Sequence, residues 1–204
     1  MSKPNIISTM NEESSQQASN DSLRELLRNV SVVQARQYFA CEDIEWAEAP
    51  DHLALGQVLK RYIVMVLLTG AKIRFVFKVH FNPEQVRTYR QTAGCKPEDL
   101  SDKHLIDFMK ELSNQIGGRV CRVFDTHGMS LGMSIPLCTR GIYEIYASYE
   151  AKAGAVNKFG DFWRLRGPFG DLYCSCYVEI MTKESFSNIA YTDEPSNEGE
   201  LDFL

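Results

Sequence analysis

Between Lys72 and Phe81 the chain alternates with a period of two. Ile73, Phe75, Phe77, Val79 and Phe81 fall on one side, and Lys72, Arg74, Lys78 and His80 on the other. Successive strand side chains point to opposite faces of a sheet, so this stretch dictates a strand with one buried face. The apolar run from Val58 to Leu68, reached across Thr69-Gly70, reads as its hairpin partner. Five large apolar side chains on one sheet face need a second layer to cover them.

Helical spacing elsewhere supplies that layer. Asp21 or Ser22 can cap a helix running to about Phe39, with Leu23, Leu26, Leu27, Val30 and Val33 or Gln34 at helical intervals. Asn82-Pro83 opens a short helix that closes at Gly94. A third helix starts near Ser101 and turns Leu105, Phe108, Met109, Leu112 and Ile116 to one side. Ala47 to Gly56 is irregular. Met129 to Leu137 alternates again, Pro136 marking an edge or a strand end. Tyr143 to Tyr149 suggests a further strand, the Ala151–Ala155 run a flexible connector, and Phe162–Arg166 and Leu172–Ile180 flank a turn at Gly167-Pro168-Phe169-Gly170-Asp171. The expected class is α+β, a largely antiparallel sheet packed with long helices.

At 204 residues and 44% hydrophobic content, one domain can bury a substantial core. Residues 1–20 are rich in Ser, Gln, Asn and Glu and are expected to be disordered, leaving a domain over 21–183 and an acidic tail over 184–204. The tail holds five acids and no base after Glu184, which accounts for the net charge of −5. A neutral remainder argues against nucleic acid. The polar N-terminal stretch lacks a signal-peptide core, and the longest apolar run, Ile63 to Leu68, is too short for a membrane span. The expected location is the cytoplasm, with the six cysteines reduced. His52, His80, His104 and His127 are scattered without metal-site spacing, and no phosphate loop or nucleophile elbow is present.

The chemistry concentrates on the third helix. Opposite its apolar side stand Asp107, Glu111, Asn114 and Gly118. Any amphipathic helix has a solvated outer face, and that is one reading. Asparagine is a poor mid-helix residue, however, and the stripe ends in a glycine that lets another molecule approach the backbone. Residues three and four apart are neighbours, so the Glu111 carboxylate and Asn114 amide project side by side. A carboxylate grips a cation. An amide donates and accepts, which suits it to orient a water.

The pattern Asp/Ser-x-x-x-Glu-x-x-Asn-x-x-x-Gly, here Asp107, Glu111, Asn114 and Gly118, resembles the motif helix of the CheC/CheX/FliY family of chemotaxis phosphatases. The flanking order of Asn82-Pro83-Glu84-Gln85-Val86, then Gly128-Met129-Ser130-Leu131-Gly132-Met133-Ser134-Ile135-Pro136 and Gly141, is similar too. The resemblance spans roughly residues 55 to 181. Glu25-Leu26-Leu27-Arg28 on the first helix lacks the asparagine, so the chain carries one motif, as CheX-like members do. The resemblance implies a CheC-like domain that hydrolyses the aspartyl phosphate of a CheY-like response regulator. Glu111 would pair with the regulator's lysine and Asn114 would orient the attacking water, Asp107 and Gly118 being supporting partner-binding positions. It implies no metal or cofactor of the chain's own, the Mg²⁺ belonging to the regulator, and a homodimer.

A second reading, from another class, is a non-catalytic module that docks a regulator or a flagellar or signalling scaffold. The intact Glu111/Asn114 pair favours the enzyme. The long strands between Val58 and Phe81 could pair across a dimer. Glu198-Gly199-Glu200-Leu201-Asp202-Phe203-Leu204 reads either as a solubilising tail or as a tether that folds on a partner.

Overall fold

The computed structural model describes residues 6–49, 61–141 and 155–191, with the side chains of the first helix from residue 14. Helix α1 (Ile6–Phe39) leads to strand β1 (Glu45–Glu48), and β2 (Tyr62–Thr69) and β3 (Ile73–Phe81) form a hairpin. Helix α2 (Pro83–Thr92), a 3-10 turn (Pro97–Leu100) and helix α3 (Asp102–Thr126) follow. Strands β4 (Gly132–Met133) and β5 (Leu137–Arg140) precede the hairpin of β6 (Asn157–Gly167) and β7 (Gly170–Ile180).

The sheet is antiparallel at each described pairing and runs β1-β6-β7-β3-β2, with β4 and β5 sharing the outer side of β2. The chain thus passes twice through helix, edge strand and hairpin. The two hairpins join where β3 meets β7, with Phe77 opposite Cys176. Each edge strand crosses to the other repeat's hairpin: β1 pairs β6, and β4 and β5 pair β2.

Both long helices lie on the face that carries Phe75, Phe77, Val64, Val66 and Leu68, all buried. Phe75 meets Phe124 of α3 edge-on at 5.4 Å, and Phe77 meets Trp163 at 6.0 Å. Leu23, Leu26, Leu27 and Val30 of α1 and Leu105, Met109, Leu112 and Ile116 of α3 complete this core. Each such side chain contributes about 1.5–3 kcal/mol, so the α1 and α3 stripes fix the helices' rotation on the sheet. The alternation predicted for β3 therefore holds, and Leu172, Cys174, Cys176, Val178 and Ile180 share the buried face of β7. Burial pushes the thiols of Cys174 and Cys176 well up, and the six cysteines are free.

Several expectations need correction. Residues 14–20 continue α1 instead of forming a disordered tail: Ser19 and Asn20 are buried, the Phe186 backbone N–H donates to Ser19 Oγ at 3.0 Å, and Asn157 Nδ2 donates to Asn20 Oδ1 at 2.8 Å. Polar groups dock this stretch, so its composition misled. The domain also extends past 183, because Phe186 and Ile189 enter the core. The strand expected over Met129–Leu137 breaks into β4 and β5, and β1 was not foreseen; it is a four-residue edge strand with glutamates at both ends. Strands β2 and β3 cannot pair across a dimer through a free edge. β3 is central, and β5 and β4 cover β2 at Tyr62–Met65 and Leu68–Thr69.

Tyr143–Tyr149, most of the connector, His52 and Glu198–Leu204 lie outside the described residues. Among the described residues no helix is long and apolar enough to cross a membrane.

Candidate functional site

Helix α3 is fixed at its start. Ser101 caps it by accepting from the His104 backbone N–H, while His104 Nδ1 lies 2.9 Å from the Glu98 carbonyl, a local structural role. Arg87 of α2 donates to Glu84, Asp102 and the Leu100 carbonyl, tying α2 to the first turn of α3. The helix continues past Gly118 to Thr126, because Val120 and Phe124 extend its buried stripe.

Gly117 and Gly118 have opposite environments. A Cβ on Gly117 would lie 2.8 Å from Met133 Sδ and 3.3 Å from Val66 Cγ1. Gly117 thus lets α3 settle on β2 and brings β4 alongside the helix. A Cβ on Gly118 would meet nothing within 4 Å.

On the outer side, Asp107 and Glu111 are exposed and Asn114 and Gly118 half-buried, so the four foreseen residues form one stripe. Glu111 accepts from Gln115 Nε2 at 3.2 Å. Among the described residues the Asn114 amide has no hydrogen-bond partner, and neither Asp107 nor Glu111 has an ion-pair partner. The amide, and a carboxylate bonded only within its own helix, thus project from a rigid rod. Among the described residues, no three His, Cys, Asp or Glu side chains gather as metal ligands.

The stripe forms one wall of an open groove of about 360 Å³, lined by Asp107, Lys110, Glu111 and Asn114. The other wall is Met133-Ser134-Ile135-Pro136, which sequence reasoning had not joined to the site. Ser134 holds this wall to β2: its N–H donates to the Leu67 carbonyl at 2.9 Å and its Oγ accepts from the Leu67 N–H at 3.0 Å. Ile135 is 79% exposed and Leu137 57%, an apolar shoulder beside the polar stripe. The nearby Cys138 thiol is raised by burial and by Asp107, against the pull of Lys110. The Gly-x-Ser-x-Pro run before β5 was visible in the sequence; its closeness to α3 depends on the β2 pairing.

A second group of residues adjoins Glu111. The Tyr38 ring packs on Phe108 with centroids 4.6 Å apart, and its hydroxyl donates to the Phe108 carbonyl at 2.8 Å. Arg90 lays its guanidinium on the same Phe108 ring, 4.7 Å from the centroid. Burial first, then the Glu111 charge, push the Tyr38 phenol up to about 12, while Arg90 opposes them.

On α1 the matching position is occupied differently. Arg28 Nε and Nη2 hold Asp161 of β6 at 2.9 and 2.8 Å, Nη1 donates to Glu48 at 3.1 Å, and the guanidinium lies 4.6 Å from the Trp46 ring centroid.

No protein-family model matches the chain, and no curated protein does. Solved structures do. A chain of the CheX–CheY–BeF3–Mg²⁺ complex of Borrelia burgdorferi superposes with a TM-score of 0.56 at 14% identity, over 76% of this chain and 96% of that one. A CheC-like superfamily protein from Shewanella sp. PV-4 gives 0.54 at 15% identity, over 78% and 97%. The chemotaxis protein CheX of Vibrio vulnificus gives 0.52 at 14%, over 76% and 97%. The fold is the one these proteins share.

Proposed function

We propose that this chain, which has the fold of CheX and CheC-like structures, is a phosphatase for the aspartyl phosphate of a CheY-like response regulator. The observation that carries this reading is the Glu111–Asn114 pair, unspent by the fold and set at the rim of an open groove. The complex of the Borrelia burgdorferi CheX with CheY, BeF3 and Mg²⁺ supports the partner class.

In this reading the regulator brings the acyl phosphate and its Mg²⁺, which supplies charge neutralisation at the phosphoryl group. Helix α3 lies against the regulator, and Glu111 accepts from the regulator's lysine. The Asn114 amide holds a water in line with the phosphorus. Phosphoryl transfer asks mainly for positioning and charge stabilisation, so a neutral amide is enough and no base is needed on this chain. A hundredfold acceleration asks under about 3 kcal/mol of the pair. Asp107 and Gly118 shape the surface, and Met133 and Ile135 offer an apolar shoulder for the regulator.

The proposal includes a cytoplasmic homodimer, whose contact is not the edge pairing of β2 or β3. Sedimentation of the purified chain tests the dimer.

The function is tested by aspartyl-phosphate decay on a panel of CheY-like regulators, with the wild-type chain and Asn114→Ala. Catalytic acceleration lost in the variant supports the phosphatase. A regulator that binds but decays at its own rate identifies a docking module instead.

A further inference from the structure

The two repeats carry the same order of charges on their long helices. Asp21, Arg24, Glu25 and Arg28 on α1 stand at the spacing of Asp107, Lys110, Glu111 and Asn114 on α3. On α1 the first base is consumed: Arg24 Nη1 holds Asp21 at 2.8 Å, its Nε lies 4.0 Å from Asp161, and its guanidinium covers the Phe159 ring at 4.8 Å. Lys110 holds the same place on α3, with Asp107 at the same spacing before it. Yet among the described residues its ammonium has neither a hydrogen bond nor an ion pair. It lines the groove beside Asn114, the one basic side chain among the described residues that does.

Residues four apart on a helix are neighbours, with Cβ atoms about 5–6 Å apart, so the Lys110 and Asn114 side chains leave α3 on one side. An anion that reaches the Asn114 amide therefore comes within reach of the ammonium. We infer that Lys110 is a further catalytic residue, whose ammonium bears on the non-bridging oxygens of the phosphoryl group while Asn114 holds the water. This rests on the phosphatase reading. In that step the water oxygen bonds to phosphorus, and the bond from phosphorus to the regulator's aspartyl oxygen breaks. That oxygen keeps the electron pair, the products are a free carboxylate and dihydrogen phosphate, and Lys110 gives up no proton. A cation set where phosphoryl charge shifts acts on the transition state, whereas a docking contact would hold substrate and transition state alike.

The experiment follows aspartyl-phosphate decay over a range of regulator concentrations with three proteins. They are the wild type, Lys110→Met, which keeps the apolar stem, and Lys110→Arg, which keeps the charge. Lys110→Met should lower kcat at least about tenfold with KM within about twofold, and Lys110→Arg should stay within about threefold of wild type. Melting temperature and affinity for the unphosphorylated regulator should not change in either variant.

A raised KM with unchanged kcat in Lys110→Met makes Lys110 a docking residue and overturns the inference. A loss as large in Lys110→Arg as in Lys110→Met overturns it as well, because charge would not be what counts. If the wild type accelerates decay and Lys110→Met matches it, this inference alone falls. If the wild type accelerates decay on no regulator, the phosphatase reading falls and takes this inference with it.

Discussion

Helices α1 and α3 stand at matching places in the two repeats, and each carries a Glu-Leu-x-x run whose glutamate is exposed: Glu25-Leu26-Leu27-Arg28 and Glu111-Leu112-Ser113-Asn114. Their second leucine-side neighbours differ little in packing, since Leu26 and Leu112 are both buried. The fourth residues differ completely. Arg28 is consumed by Asp161, Glu48 and Trp46, and so bolts α1 to β1 and β6. The Asn114 side-chain amide is bonded to no described residue and borders a groove. One repeat spends its polar residue on cohesion; the other leaves its side chain without a described partner. That contrast favours the proposed site over a solvated helix face more than the motif does alone.

The largest effect that would break the contrast is on turnover. Asn114→Ala should reduce catalysed decay of aspartyl phosphate about a hundredfold, about 3 kcal/mol, with regulator binding and thermal stability unchanged. Glu111→Ala should weaken binding as well. Equal loss of binding in both variants, measured by titration calorimetry, would remove the distinction between the water-orienting and the docking residue.

On α1 the opposite pattern is expected. The Asp161 side chain is only 6% exposed, so Arg28→Asn, which restores the motif in sequence, removes its two close guanidinium bonds and leaves only Arg24, whose Nε is 4.0 Å away. The cost should be about 3 kcal/mol, a melting temperature lower by roughly 6–12 °C. Asp161→Asn in the same chain should recover most of it, and neither variant should gain turnover. A stable Arg28→Asn protein with doubled activity would show that α1 was a silent site and not a bolt.

The apolar shoulder sharpens the comparison further. Ile135→Asp should raise KM about tenfold, about 1.4 kcal/mol, while changing stability by no more than about 0.5 kcal/mol because the side chain is already in water. An unchanged KM would confine the partner to the α3 wall.

Much of this arrangement could be read from residues alone, and the reason is periodicity. The β3 alternation fixed a sheet with one covered face, and the spacing of Leu105, Met109, Leu112 and Ile116 fixed which side of α3 is outward, so Asp107, Glu111, Asn114 and Gly118 were legible together. What escaped has no periodic signature. β1 is too short and too acidic to stand out. The polar half of α1 is docked by hydroxyls and amides such as Ser19 and Asn20, whose partners lie more than 130 residues away. The Met133–Pro136 wall, Tyr38 and Arg90 reach the site only through tertiary packing. The Ser/Gln-rich composition of residues 14–20 pointed away from order because it reports burial of apolar surface and not satisfied polar groups.

The adjacent glycines of α3 give the smallest and most local test. Sequence spacing put Gly118 on the stripe and gave Gly117 no role, yet the structure gives the two opposite constraints. Gly118→Ala meets no atom and gains helix propensity, so it should stabilise the chain by about 0.5–1 kcal/mol. Gly117→Ala must displace Met133 and press on Val66, costing about 1 kcal/mol or more and moving the groove's apolar wall. Melting curves check both signs. Activity then separates the two roles: Gly118→Ala raises KM only if the regulator approaches the helix backbone there. Gly117→Ala acts through the position of Met133 and should be relieved by Met133→Ala.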